Sequence, residues 1–124
     1  MILVDTSIWV DHLRHDDAAL RQLLEAGRVL VHPFVIGELA LGHLRQRGPI
    51  LAALQDLPCV PVATDAEILI FIERHRLSGL GIGYVGVHLL ASAQLASGAR
   101  LWTRDKRLQT VAQQHQWAAD PVTT

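Results

Sequence analysis

Short apolar runs that alternate with helical patterns constrain this chain more than any other feature. Ile2–Val4, Val29–Val31, Cys59–Val62 and Arg100–Thr103 read as strands, and a last short one lies near Trp117–Ala119. Between them the apolar spacing turns helical. Leu20, Leu23 and Leu24 fall at i, i+3, i+4, as do Ile50, Leu54 and Leu57. Ile68, Phe71, Ile72 and His75 carry that spacing to i+7, as do Leu108, Val111, Ala112 and His115. Such spacing buries one face of a helix. Strands alternating with helices predict an α/β fold with a central parallel sheet and helices on its faces.

Boundary residues agree with this reading. Thr64 with Glu67 forms a capping box. Pro33 suits the first turn of a helix. Gly27, Gly48 and Gly98 punctuate helix ends. Pro61 suits an edge strand, because it has no N–H to give to a ladder. The 124 residues fit a single domain over 1–124, large enough for an ordinary core. No repeat, linker or low-complexity tract interrupts them.

Composition removes several function classes. Half the residues are apolar, which argues against disorder. The net charge of −1 gives no global attraction to nucleic acid, so any such binding needs a local basic patch. Cys59 stands alone, so no intrachain disulfide forms. A reducing cytoplasm fits, with Cys59 expected as a buried strand residue. The apolar start is too short for a signal peptide and lacks a basic flank. Residues 77–99 carry no charge while His88 is neutral, a length that would span a bilayer. Five glycines and several polar residues within it predict instead a loop leading into a central buried helix, and no membrane association.

The candidate chemistry lies in three acids. Asp5 ends the first strand, Asp105 follows the strand near residue 100, and Glu38 lies in a helical segment between them. Ligand sites in parallel sheets form just outside the carboxyl ends of the strands. Acids meeting there would hold a hard metal ion. Each acid also has a plain structural reading. Asp5 and Asp105 suit helix N-caps, and Glu38, on a face with Phe34 and Leu41, suits a rim position reaching water.

Other assignments fail. An aspartyl-phosphate phosphatase calls for a second acid two residues after Asp5, where Ser7 stands. A phosphoacceptor receiver calls for an acid after Val29–Val31, where His32-Pro33 stands. Asp16 and Asp17 suit a helix start, Asp65 and Glu67 a helix first turn, and Asp11 a solvated position. No Cys/His pair has zinc-ligand spacing. Gly79-Leu80-Gly81-Ile82-Gly83 lacks the preceding strand and the last glycine of a dinucleotide fingerprint. Basic residues cluster at Arg100, Arg104, Lys106 and Arg107, at Arg74, His75 and Arg76, and at Arg45 and Arg47. A solvated face explains them, and so does a phosphodiester substrate beside an acidic metal pocket.

Four ordered segments carry a resemblance: Ile2-Leu3-Val4-Asp5-Thr6-Ser7-Ile8-Trp9, Ile36-Gly37-Glu38-Leu39, Gly83-Tyr84-Val85-Gly86-Val87-His88-Leu89-Leu90-Ala91-Ser92-Ala93, and Leu101-Trp102-Thr103-Arg104-Asp105-Lys106-Arg107-Leu108. In these the chain resembles the PIN-domain ribonucleases, specifically the VapC toxins of toxin–antitoxin pairs, over nearly its whole length. The resemblance implies a three-layer α/β/α fold and endonucleolytic cleavage of RNA, dependent on magnesium or manganese. It places metal ligands at Asp5, Glu38 and Asp105, and supporting hydroxyls at Thr6, Ser7 and Thr103. Oxygen-only ligands select magnesium or manganese over zinc. It also implies structured RNA such as tRNA as substrate, a homodimer, and a VapB-type antitoxin covering an apolar groove. The apolar segments Ile8-Trp9-Val10 and Phe34–Leu41 are the expected partner surfaces.

The chain departs from the family at position 86, where an aspartate is expected and glycine stands. Glycine in a helix costs roughly 1 kcal/mol relative to alanine, and a first turn favours an acid. Gly86 therefore predicts weakened metal binding and a large loss of cleavage. An inactivating substitution, engineered or selected, is the first explanation, since an active toxin kills its host. Natural degeneration is the second. The alternative function is a catalytically inactive PIN-fold binding or regulatory protein, and a DNA nuclease of the same fold is a further one.

Overall fold

The computed structural model describes residues 1–120. Its elements run β1 (Ile2–Val4), α1 (Thr6–His15), α2 (Ala18–Glu25), β2 (Val29–Leu30), α3 (Pro33–Leu41), α4 (Arg47–Gln55), α5 (Asp65–Arg74), α6 (Tyr84–Leu95), β3 (Arg100–Trp102) and α7 (Lys106–Gln114). The strands form one parallel sheet in the order β2-β1-β3. Ile2 pairs with Val29 on one side and Arg100 on the other. This is the α/β arrangement expected from the alternating pattern.

The outer strands are shorter than the apolar runs suggest. Cys59–Val62 is not a strand. Only a parallel bridge joins Cys59 to Val31, through bonds from Val31 N to Pro58 O and from Val60 N to Val31 O. The next rung would need an N–H at residue 33. Pro33 has none, and it opens α3 instead. Pro61 therefore lies outside any strand, and Cys59 is exposed rather than buried. On the other edge, Trp117–Ala119 contributes a single bridge from Ala118 to Leu101.

Caps form where local chemistry asks for them. The Thr64–Glu67 capping box opens α5, and Pro33 is the first residue of α3. Gly27 and Gly98 follow α2 and α6 with φ of 67° and 83°, a region that glycine enters freely. Gly48 does not end a helix but lies in the first turn of α4. Asp17 caps α2, whereas Asp16 closes α1. Asp11 is paired with Arg104, and its side chain stays 44% exposed.

The core gathers on the sheet. Leu3 and Val4 are fully buried, and so are Ile8, Leu20, Val35 and Leu101. Helix α6 buries Val87 through Ala93 without a break, so it is apolar all round and central. Its 12 residues span about 18 Å, well short of a bilayer core of about 30 Å. Among the described residues no helix is long and apolar enough to cross a membrane. Ile8 and Trp9 lie in the core, which corrects the expectation that they form a partner surface.

Candidate active site

Parallel pairing places the carboxyl ends of β1 and β3 side by side. The Asp5 N–H donates to the Trp102 carbonyl at 3.0 Å, which ties the two ends together. Asp5 follows β1, and Thr103-Arg104-Asp105 follows β3. Helix α3 packs against α1 and brings in Glu38. The three acids line one cleft of about 250 Å³, together with Thr6, Ser7, Gly83, Val85, Gly86 and Leu108.

Two threonines link the acids. The Thr6 hydroxyl donates to Glu38 Oε1 at 2.7 Å. The Thr103 hydroxyl donates to Asp5 Oδ2 at 2.7 Å and accepts from the Asp105 N–H at 3.0 Å. Ser7 Oγ accepts from the Arg104 N–H at 3.1 Å, which pins the β3–α7 turn against α1. Both aspartates are also N-caps. Asp5 Oδ1 accepts from Thr6 N at 2.7 Å, and Asp105 Oδ1 accepts from Arg107 N and Leu108 N. Capping and cleft-lining thus coincide in the same side chains. Glu38 is exposed on the rim. Its companions Phe34 and Leu41 are 36% and 90% exposed, so that stripe of α3 faces outward while Val35 and Leu39 face the core.

Burial holds the Asp5 carboxyl above the usual aspartate range. Hydrogen bonds from Thr103 and Thr6 pull it down, and the charges of Glu38 and Asp105 push it up again. A cleft that makes one carboxylate costly beside two others favours a cation. The donors are oxygen only, which fits magnesium or manganese. As they stand, no three such side chains among the described residues are grouped closely enough to hold an ion. Magnesium commonly takes one or two carboxylates and keeps several waters, so the set fits a partly hydrated ion.

Gly86 is the third residue of α6, whose N-cap Gly83 makes no side-chain cap and whose first turn holds no acid. A Cβ at this position would lie 3.1 and 3.2 Å from the two Leu108 methyls. Leu108 has filled the space that a larger residue 86 would claim.

None of the four basic residues near Asp105 lines the cleft itself. Arg100 opens β3, at the end of the strand away from the cleft, and donates to the Gln116 carbonyl. Arg104 is held by Asp11 and Asp17. Lys106 and Arg107 lie on the first turn of α7 beside the cleft, and Arg107 packs against Gly81. One cluster has no sequence signal at all. His32 and His88 come together with ring centroids 6.2 Å apart, both fully or nearly fully buried, and they are far apart in the chain.

The PIN domain family profile matches residues 2–114. Two relatives, each named Ribonuclease VapC32, come from Mycobacterium tuberculosis strains CDC 1551 / Oshkosh and ATCC 25618 / H37Rv. Each is 53% identical to this chain over 108 residues, 87% of this chain and 87% of theirs.

Proposed function

From the premise that the chain belongs to the PIN-domain family, among its VapC ribonucleases, we propose that it is the toxin of a type II toxin–antitoxin pair. It is an endoribonuclease dependent on magnesium or manganese that cuts structured RNA such as tRNA in the cytoplasm, and Gly86 impairs it. The whole chain, 1–124, is one PIN domain. The observation that carries this reading is the joining of Asp5, Glu38 and Asp105 through Thr6 and Thr103 in one cleft at the carboxyl edge of the sheet.

Asp5, Glu38 and Asp105 would hold the ion, in part through its bound waters, and the ion would supply an activated water and a counter-charge for the phosphodiester under attack. Thr6 and Thr103 orient the carboxylates. Ser7 holds the turn that presents Asp105. Lys106 and Arg107 hold phosphates flanking the cut. The second reading, a non-catalytic PIN-fold binding protein, draws on Gly86 and on Leu108 packed over it.

Manganese titration by calorimetry tests the site directly. The chain should bind the ion, and Asp5→Asn should lose most of that affinity. Equal manganese binding by both proteins would remove Asp5 from the metal site.

Partners follow from the same reading: a VapB-type antitoxin, the RNA substrate and a second copy of the chain. Ile70 on α5 and Leu95 on α6 are more than half and half exposed, respectively, and line one cleft with Phe71. Light scattering at micromolar concentration should give twice the chain mass. A monomer at that concentration would count against the dimer.

A further inference from the structure

We propose that the groove between α1, α3, the 42–46 loop and α4 is the track for an unpaired stretch of the RNA on one side of the cut. The proposal rests on the ribonuclease reading above and adds to it a route for the strand. The groove holds about 540 Å³ and is lined by Arg14, His15, His43 and Arg45. The only acid on its wall is Glu38, which also lines the acidic cleft. The two spaces therefore meet at that side chain, and a strand lying in the groove enters the cleft beside Glu38.

The charges in the groove are uncommitted. Among the described residues neither Arg14 nor Arg45 is in an ion pair, whereas Arg21 and Arg104 each have an aspartate partner. Unpaired guanidinium groups beside an acidic site match phosphates on a strand. The imidazoles of His15 and His43 offer ring faces, and Leu44 and Ile50 an apolar floor, against which unstacked bases rest. The wall is held in place. Arg47 donates to the Ala40 and Gly42 carbonyls at the end of α3, so the loop carrying His43 and Arg45 is tied back to the helix that carries Glu38. A protein partner matched to this groove would have to bring its own negative charge, whereas RNA carries it at every phosphate.

Fluorescence anisotropy with a labelled single-stranded RNA, using the full chain, tests the track. Arg14→Ala/Arg45→Ala should bind about twentyfold more weakly at about 0.1 M salt. Its log–log salt slope should shrink by about 1.4 relative to the parent. Arg14→Lys/Arg45→Lys should keep most of the slope, which separates lost charge from lost folding. Unchanged RNA affinity in the alanine variant would overturn the proposal and leave the groove to another occupant, a protein segment included. No RNA binding by the parent would overturn it as well. Groove-dependent binding, with no cleavage by any variant, would uphold the track while the catalytic reading failed. Cleavage by Gly86→Asp that ignores the groove residues would do the reverse.

Discussion

Gly86→Asp is expected to raise magnesium- or manganese-dependent cleavage of tRNA on the order of a hundredfold over the chain as it stands. The scale is that of adding one preorganised charged group to a site where charge develops during reaction. The new carboxylate would sit on the first turn of α6, on the wall of the cleft that holds Asp5, Glu38 and Asp105. That first turn now holds no acid and no side-chain cap, so the macrodipole favours a negative charge there by about 0.3–1 kcal/mol. Two costs oppose it. The Leu108 methyls, at the far end of a buried side chain, must retreat by a few tenths of an ångström from the added Cβ. A fourth carboxylate also adds repulsion to a cleft where Asp5 is already held above its usual range by burial and its neighbours' charges. A cation relieves that repulsion. Manganese should therefore raise the melting temperature of Gly86→Asp more than that of the parent. Gly86→Asn, similar in size and uncharged, should leave cleavage at the parent's level. If Gly86→Asp and parent are equally silent on tRNA in either metal, the non-catalytic reading gains over the toxin reading.

What the sequence made legible was whatever depends on near neighbours. Asp5 and Asp105 end apolar runs and precede helical ones, so their caps and their place at the carboxyl ends of strands follow from position alone. Distance in the fold was harder to read. Arg100 stands close to Asp105 in the chain, but β3 runs between them at about 3.3 Å per residue and carries them to opposite ends of the sheet. Helix α3 is apolar on nearly every side, so periodicity could not decide which face turns inward. The Phe34–Glu38–Leu41 stripe proved to be the outer one. Cys59–Val62 looked like a strand because its own residues suit one; the limit came from its neighbour, where Pro33 withholds the next N–H. The space over Gly86 depended on Leu108, which belongs to another helix. The pairing of His32 with His88 depended on the fold bringing the N-cap of α3 against the middle of α6.

That histidine pair leads to the other large effect: the fold should lose about 2 kcal/mol of stability between about pH 7.5 and 5. His32 Nδ1 accepts from the Phe34 N–H at 2.9 Å and caps α3. The proton of the neutral ring therefore sits on Nε2, which is buried and has no partner among the described residues, as is true of both ring nitrogens of His88. Phe34 packs edge-on against both histidines at 4.7 Å, and Tyr84 covers His88 at 4.8 Å. Burial pushes the His32 imidazole down to about 4, and a charge on His88 would push it further the same way. Burial also lowers His88, with Asp65 pulling in the opposite direction. The sign follows from these depressed values. The unfolded chain takes up protons near the ordinary histidine value of about 6.5, while the folded chain resists until much lower pH. Stability is therefore complete above that value and falls as pH drops toward 4. Urea unfolding at the two pH values measures the loss. His32→Asn can keep the cap through its side-chain oxygen and removes the titration, so its stability should change far less over the same interval. An equal loss in His32→Asn would place the acid sensitivity elsewhere in the molecule.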